Sequence, residues 1–135
     1  MFFEDVEQGY TFTTGSKPIT GTEIDMVAQL SGADLPGFLD NEFAQGWGFK
    51  ARVAPGAYLI LCMMGLMAKH GFLADAVWTS ADAISWKNPV HPNDKIHVDC
   101  EVLSTKEIKR GGGLVSYQWK ISNQNDQLVA QGQNT

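Results

Sequence analysis

The stretch from Val53 to Ala68, VAPGAYLILCMMGLMA, constrains what this chain can fold into more than any other. From Ala57 to Ala68 nearly every residue is apolar. Pro55 is a good first-turn residue, because the N–H it lacks has no partner there. Gly71, just after Lys69 and His70, can adopt the left-handed conformation that ends a helix. The spacing therefore predicts a helix that starts at Pro55 and ends at His70-Gly71. A helix apolar on all sides has to be surrounded. It is shorter than the roughly 20 residues a membrane span needs, and it carries Pro55, Gly56 and Gly65, so it reads as a buried core helix.

The rest of the chain supplies the wrapping. Ile96, Val98, Cys100 and Val102 alternate with His97, Asp99 and Glu101, and Val115, Tyr117, Trp119 and Ile121 alternate with Ser116, Gln118 and Lys120. That period of two marks strands with one buried face. Ile84 and Trp86 predict another strand, ended by Asn88-Pro89. Lys109–Gly113 and Asn123–Asp126 carry turn chemistry between neighbours. Upstream, Tyr10–Ile19 reads as a strand, and Thr20-x-x-Glu23 matches a capping box ahead of a helix bearing Ile24, Val27, Ala28 and Ser31. Gly32 stops that helix. Asp34–Asp40 reads as a loop, with Asp40 capping one further helical turn at Asn41–Gln45. The pattern is an α+β layer fold, one long helix clasped by an antiparallel sheet. It fits a single domain over residues 1–135.

Composition narrows the partners. Ten basic against fifteen acidic residues give a formal net charge of −5, and the basic ones are scattered, which argues against nucleic-acid binding. Cys62 and Cys100 sit in apolar stretches without ligand spacing, and read as buried thiols rather than a disulfide or metal site. The N-terminus, Met1-Phe2-Phe3-Glu4-Asp5, carries acid where a secretion signal carries base. The expected location is the cytoplasm, with no membrane partner.

Four segments carry a resemblance. They are Phe3-Glu4-Asp5-Val6-x-x-Gly9, Ile19-Thr20-x-x-Glu23-Ile24, Phe49-x-x-x-Val53-Ala54-Pro55-Gly56 and Asn88-Pro89-Val90-x-Pro92-x-Asp94. In this order and spacing the chain resembles the MaoC-like dehydratases and (R)-specific enoyl-CoA hydratases of the hotdog fold. The resemblance implies an acyl-CoA or acyl-carrier thioester as ligand, no cofactor or metal, and a homodimer or higher homo-oligomer. In that family the loop Gly-Asp-x-Asn-Pro-x-His-x-Asp supplies an Asp and a His that add water across a 2-enoyl thioester. One group deprotonates water and the other protonates the α-carbon. A backbone N–H at the start of the central helix holds the thioester oxygen, which here falls to Gly56, followed by Ala57.

The matching loop reads Gly32-Ala33-Asp34-Leu35-Pro36-Gly37-Phe38-Leu39-Asp40. Aligned without gaps, the Asp becomes Ala33 and the His becomes Phe38, and neither can move a proton. Asp34 stays open between a turn-forming residue and a lone general base near Gly56. Asp40 reads as an N-cap. Arg52 could meet a CoA phosphate or be a surface residue. Met63, Met64 and Met67 fill core or line an acyl tunnel, a task suited to a flexible thioether. His70, His91 and His97 fall outside the family's His position. The resemblance with these changes implies an acyl-thioester protein with an altered mechanism. The alternatives are a non-catalytic binder or structural subunit, and a thioesterase using a lone acid.

Overall fold

Alternation along the second half of the chain becomes the long strands of a six-stranded antiparallel sheet. The computed structural model describes residues 1–135. After a 3-10 turn at Phe3–Asp5 come β1 (Thr11–Thr13) and β2 (Lys17–Pro18), then α1 (Gly21–Ser31), α2 (Pro36–Leu39) and α3 (Asn41–Gly46). The long α4 (Gly56–His70) leads into β3 (Ala81–Trp86), β4 (Lys95–Glu107), β5 (Gly113–Asn123) and β6 (Leu128–Asn134). The strand order is β1-β4-β5-β6-β3, with β2 also pairing β4. In register, Cys100 faces Trp119 and Val98 faces Ile121.

One face of this sheet closes on α4. Ile96, Val98, Val102, Trp119 and Ile121 are buried in a common core with Leu59, Met63, Leu66 and Met67 of α4. Burying each such side chain stabilises the fold by roughly 1.5–3 kcal/mol. The β4–β5 reversal runs through Gly111 and Gly112, both at positive φ (93° and 73°), where a side chain would clash with its own backbone. Helix ends follow local chemistry. Thr20 accepts the Glu23 N–H at 3.1 Å, Asp40 accepts the Phe43 N–H at 2.7 Å, and Gly32 and Gly71 close their helices in the left-handed region.

The fold departs from the sequence reading at four points. Tyr10–Ile19 is two short strands rather than one, because Thr14 breaks the run. Its hydroxyl accepts the Val98 N–H at 3.0 Å while its own N–H donates to the Val98 carbonyl at 2.9 Å. Pro36–Leu39 is a helical turn, not loop. Pro36 is preset for a first turn, and the Asp40 N–H closes the turn on the Pro36 carbonyl at 2.8 Å. The capping box forms only in half, since the Glu23 carboxylate turns to Lys17 and Tyr58 instead of the Thr20 backbone. Finally, α4 is not surrounded within one chain. Ala57, Leu61, Met64 and Ala68 leave an exposed stripe along it, with Leu61 55% and Met64 44% accessible. No helix is long and apolar enough to cross a membrane.

Candidate active site at the entrance to the central helix

The start of α4 is held by a lattice of short bonds. The Ala54 N–H donates to the Val90 carbonyl at 2.8 Å and the Val53 N–H to the Gly37 carbonyl at 3.1 Å. Arg52 does most of the joining. Its N–H donates to Asn41 Oδ1 at 3.0 Å, and its guanidinium donates to Asp25 Oδ1 at 2.6 Å and to the Phe38 carbonyl at 3.2 Å. Its own carbonyl lies 3.0 Å from Nδ1 of the buried His91. A carbonyl only accepts, so Nδ1–H is the donor in this bond. One residue thus ties α1, α2, α3 and the segment around His91 to the helix entrance. Its charge is met inside the chain by Asp25.

Gly56 and Ala57 open α4, so their N–H groups have no partner within the helix. They face a cleft of about 570 Å³ lined by Phe38, Phe49, Val53 and Trp86 among others. Lys87 is the only ionisable residue along it. Trp86 is pressed against the helix start: a Cβ on Gly56 would stand 2.5 Å from its Nε1 and 2.7 Å from its Cε2. Sequence reasoning found Gly56 and missed Trp86, which showed only as the end of a strand. The proximity arises because β3, at the sheet edge, carries Trp86 back to the start of the helix, thirty residues upstream in sequence.

The loop residues separate. Phe38 lines the same cleft as Gly56 and packs against the core. Ala33 is half-buried in the α1–α2 connection. Asp34, beside it, is exposed and is not among the residues lining the cleft. Asp40 is engaged as the α3 cap. None of the three histidines reaches the cleft. His70 stacks on Phe12 with ring centroids 4.3 Å apart, and His97 Nε2 lies 3.5 Å from Asp126 Oδ1.

A second group of polar residues joins α4 to its neighbours. Tyr58 donates to Glu23, whose carboxylate also takes Lys17 Nζ at 2.7 Å. Burial raises the Glu23 carboxyl. The hydrogen bonds from Lys17 and Tyr58, with the Lys17 charge, outweigh it and hold its pKa below the ordinary 4.5. Burial, then the Glu23 bond, pushes the Tyr58 phenol far up. Cys62, one turn along, is raised by burial as well, so it is a packed thiol rather than a nucleophile.

Met64 lines a different and larger cleft, of about 840 Å³, beside the C-terminal half of α4. Met67, Phe72, Trp78 and Tyr117 share it. The Trp78 Nε1–H donates to the Tyr117 hydroxyl at 2.7 Å, and burial pushes the Tyr117 pKa up to about 12. The indole N–H is thereby satisfied within the cleft wall.

An antiparallel sheet clasping one long helix, with that helix's free N-terminus set in a cleft, defines a hotdog-fold protein. The chain belongs to the MaoC-like domain family, whose model matches residues 5–121. Its solved likenesses cover nearly the whole length. The monoamine oxidase regulatory protein of Archaeoglobus fulgius aligns with a TM-score of 0.88 at 22% identity over 99% of this chain and 91% of that one. A MaoC-like dehydratase from Rhodospirillum rubrum aligns at 0.85 and 24%, over 99% and 93%. The (R)-hydratase from A. caviae involved in PHA biosynthesis aligns at 0.82 and 24%, over 97% and 96%. A search of the curated proteins finds no match.

Proposed function

We propose that this chain binds an acyl thioester, carried on CoA or an acyl-carrier protein, with the thioester oxygen at the Gly56 and Ala57 N–H groups. We further propose that it does not hydrate an enoyl group by the family's acid–base pair. One observation carries this reading: the first residues of α4 line a cleft that Phe38 also lines, with no carboxylate or imidazole side chain along it. Free N–H groups at a helix start favour an oxygen that gains negative charge. Water addition also needs a base and an acid in reach of the substrate. The oxygen can be held here, but the proton cannot be moved.

The chain also acts as a homodimer in this reading. Support comes from β3, an edge strand with half its hydrogen-bonding groups unpaired, and from the exposed apolar stripe of α4. A partner copy laid along both would cover them.

The test is titration calorimetry with butanoyl-CoA, beside a hydration assay on crotonyl-CoA. Binding is expected, with hydration slower than that of a hydratase bearing the Asp/His pair by roughly 10²–10⁴-fold or more. Absence of binding overturns the reading. Hydration at an ordinary hydratase rate overturns its acid–base half. Sedimentation as a stable 14.8 kDa monomer at micromolar concentration overturns the dimer.

A further inference from the structure

The molecule has two clefts on one helix, and the distance between them is a ruler. Ala57 lines the cleft at the start of α4, while Met64 and Ala68 line the larger one. Ala57, Leu61, Met64 and Ala68 recur at the four- and three-residue spacing that puts side chains on one helix face, and all four are exposed along the same stripe. From Gly56 to Met64 is eight residues, about 12 Å at the rise of an α-helix. An extended alkyl chain advances roughly 1.3 Å per carbon, given C–C bonds of about 1.5 Å. A chain whose carbonyl sits at Gly56 therefore meets Met64 at about its tenth carbon.

Resting on the thioester reading above, we infer that the ligand's acyl tail is about ten carbons or longer, with its far end seated in the cleft beside Met64 and Ala68. The volume agrees. At about 840 Å³ the cleft lies in the upper range of small-molecule sites, and a four-carbon acyl group held at Gly56 leaves it empty. So does the lining. Phe3, Phe72, Trp78 and Tyr117 give it aromatic walls, and the Trp78 N–H is taken up by the Tyr117 hydroxyl. The only charged side chains along it are Glu4 and Asp75, both acidic. An uncharged alkyl end suits this wall, whereas a tail ending in a carboxylate meets repulsion there.

The experiment is calorimetric titration of the full chain with butanoyl-, octanoyl- and dodecanoyl-CoA, each below its micelle concentration. Each methylene taken out of water strengthens binding by roughly fourfold. The expected result is dodecanoyl-CoA about a hundredfold or more tighter than butanoyl-CoA, with the largest step between eight and twelve carbons. Ala68→Trp places an indole in the cleft and is expected to cut the dodecanoyl-to-butanoyl ratio at least tenfold in a variant that sediments as the unaltered chain does. Should that variant fail to fold, Val77→Arg, at a position 84% exposed on the cleft wall, reads the same ratio. Equal affinities for all three thioesters overturn this inference alone, as does a chain-length ratio untouched by the variant. Binding of none overturns the thioester reading and this one with it.

Discussion

At its N-terminal end α4 enters a cleft of about 570 Å³ in which the indole of Trp86 lies against Gly56 and Phe38 forms part of the wall. At its C-terminal half the same helix borders a cleft of about 840 Å³ walled by aromatic rings. The first end offers direction through backbone N–H groups and a dipole. The second offers apolar area and little direction. A ligand using both would be polar at one end and oily at the other, as an acyl thioester is. The contrast also separates binding from chemistry, because neither end presents an acid and a base to one substrate carbon.

The largest expected effect comes from restoring what the first end lacks. Ala33→Asp combined with Phe38→His returns the family's two groups to their loop positions, and crotonyl-CoA hydration should rise on the order of 10²-fold. An unchanged rate, in a variant that melts normally, would mean that the two loop positions do not reach the thioester together. Next is Gly56→Ala. The new methyl must displace Trp86, which should weaken butanoyl-CoA binding at least tenfold. Overpacking should lower stability by about 1–3 kcal/mol. Pairing it with Trp86→Ala should recover the lost stability, and failure to do so would show that the indole is not the obstacle.

Smaller effects test the loop. Asp40→Ala removes the α3 cap and should cost about 0.5–2 kcal/mol in denaturant unfolding. Asp34→Asn, at an exposed position, should stay within about 0.5 kcal/mol and leave thioester binding as it was. A loss of thioester turnover with Asp34→Asn would restore the lone-base reading. The smallest effect is a pH dependence. Glu23 has its folded pKa below the ordinary 4.5, so the stability it adds is fully present above that value and is lost as pH falls through the lower folded value. Its side chain is 29% exposed, so the contribution should be at most about 1 kcal/mol. The stability gap between the native chain and Glu23→Gln should hold from pH 7 down to about 4.5 and shrink below it. A gap that widened on acidification would show that Lys17 does not hold the charged form.

Much of the frame was legible because it rests on short-range rules. Period-two alternation placed the buried faces of β4 and β5, and Thr20, Gly32, Asp40 and Gly71 marked helix ends through bonds reaching only a few residues. Pro36 was less plain. As a turn former in a Leu-Pro-Gly run it read as loop, and only the bond from Asp40 made it helix. Phe38 could be named as the residue in place of a His. Its place in the cleft that Gly56 lines needed the fold.

The sequence by itself determined the long strands, the central helix and the helix ends at Thr20, Gly32, Asp40 and Gly71, because each is written in adjacent residues. Only the tertiary structure decided that Trp86 closes on Gly56 and that Arg52 spends its charge on Asp25. It also decided that Glu23 turns from its own cap to Lys17 and Tyr58, and that residues 2–4, 72–79 and 111–115 meet around Met64 to form the larger cleft. Those contacts join residues that lie tens of positions apart. Side-chain spacing along one segment has no term for what another segment brings to it.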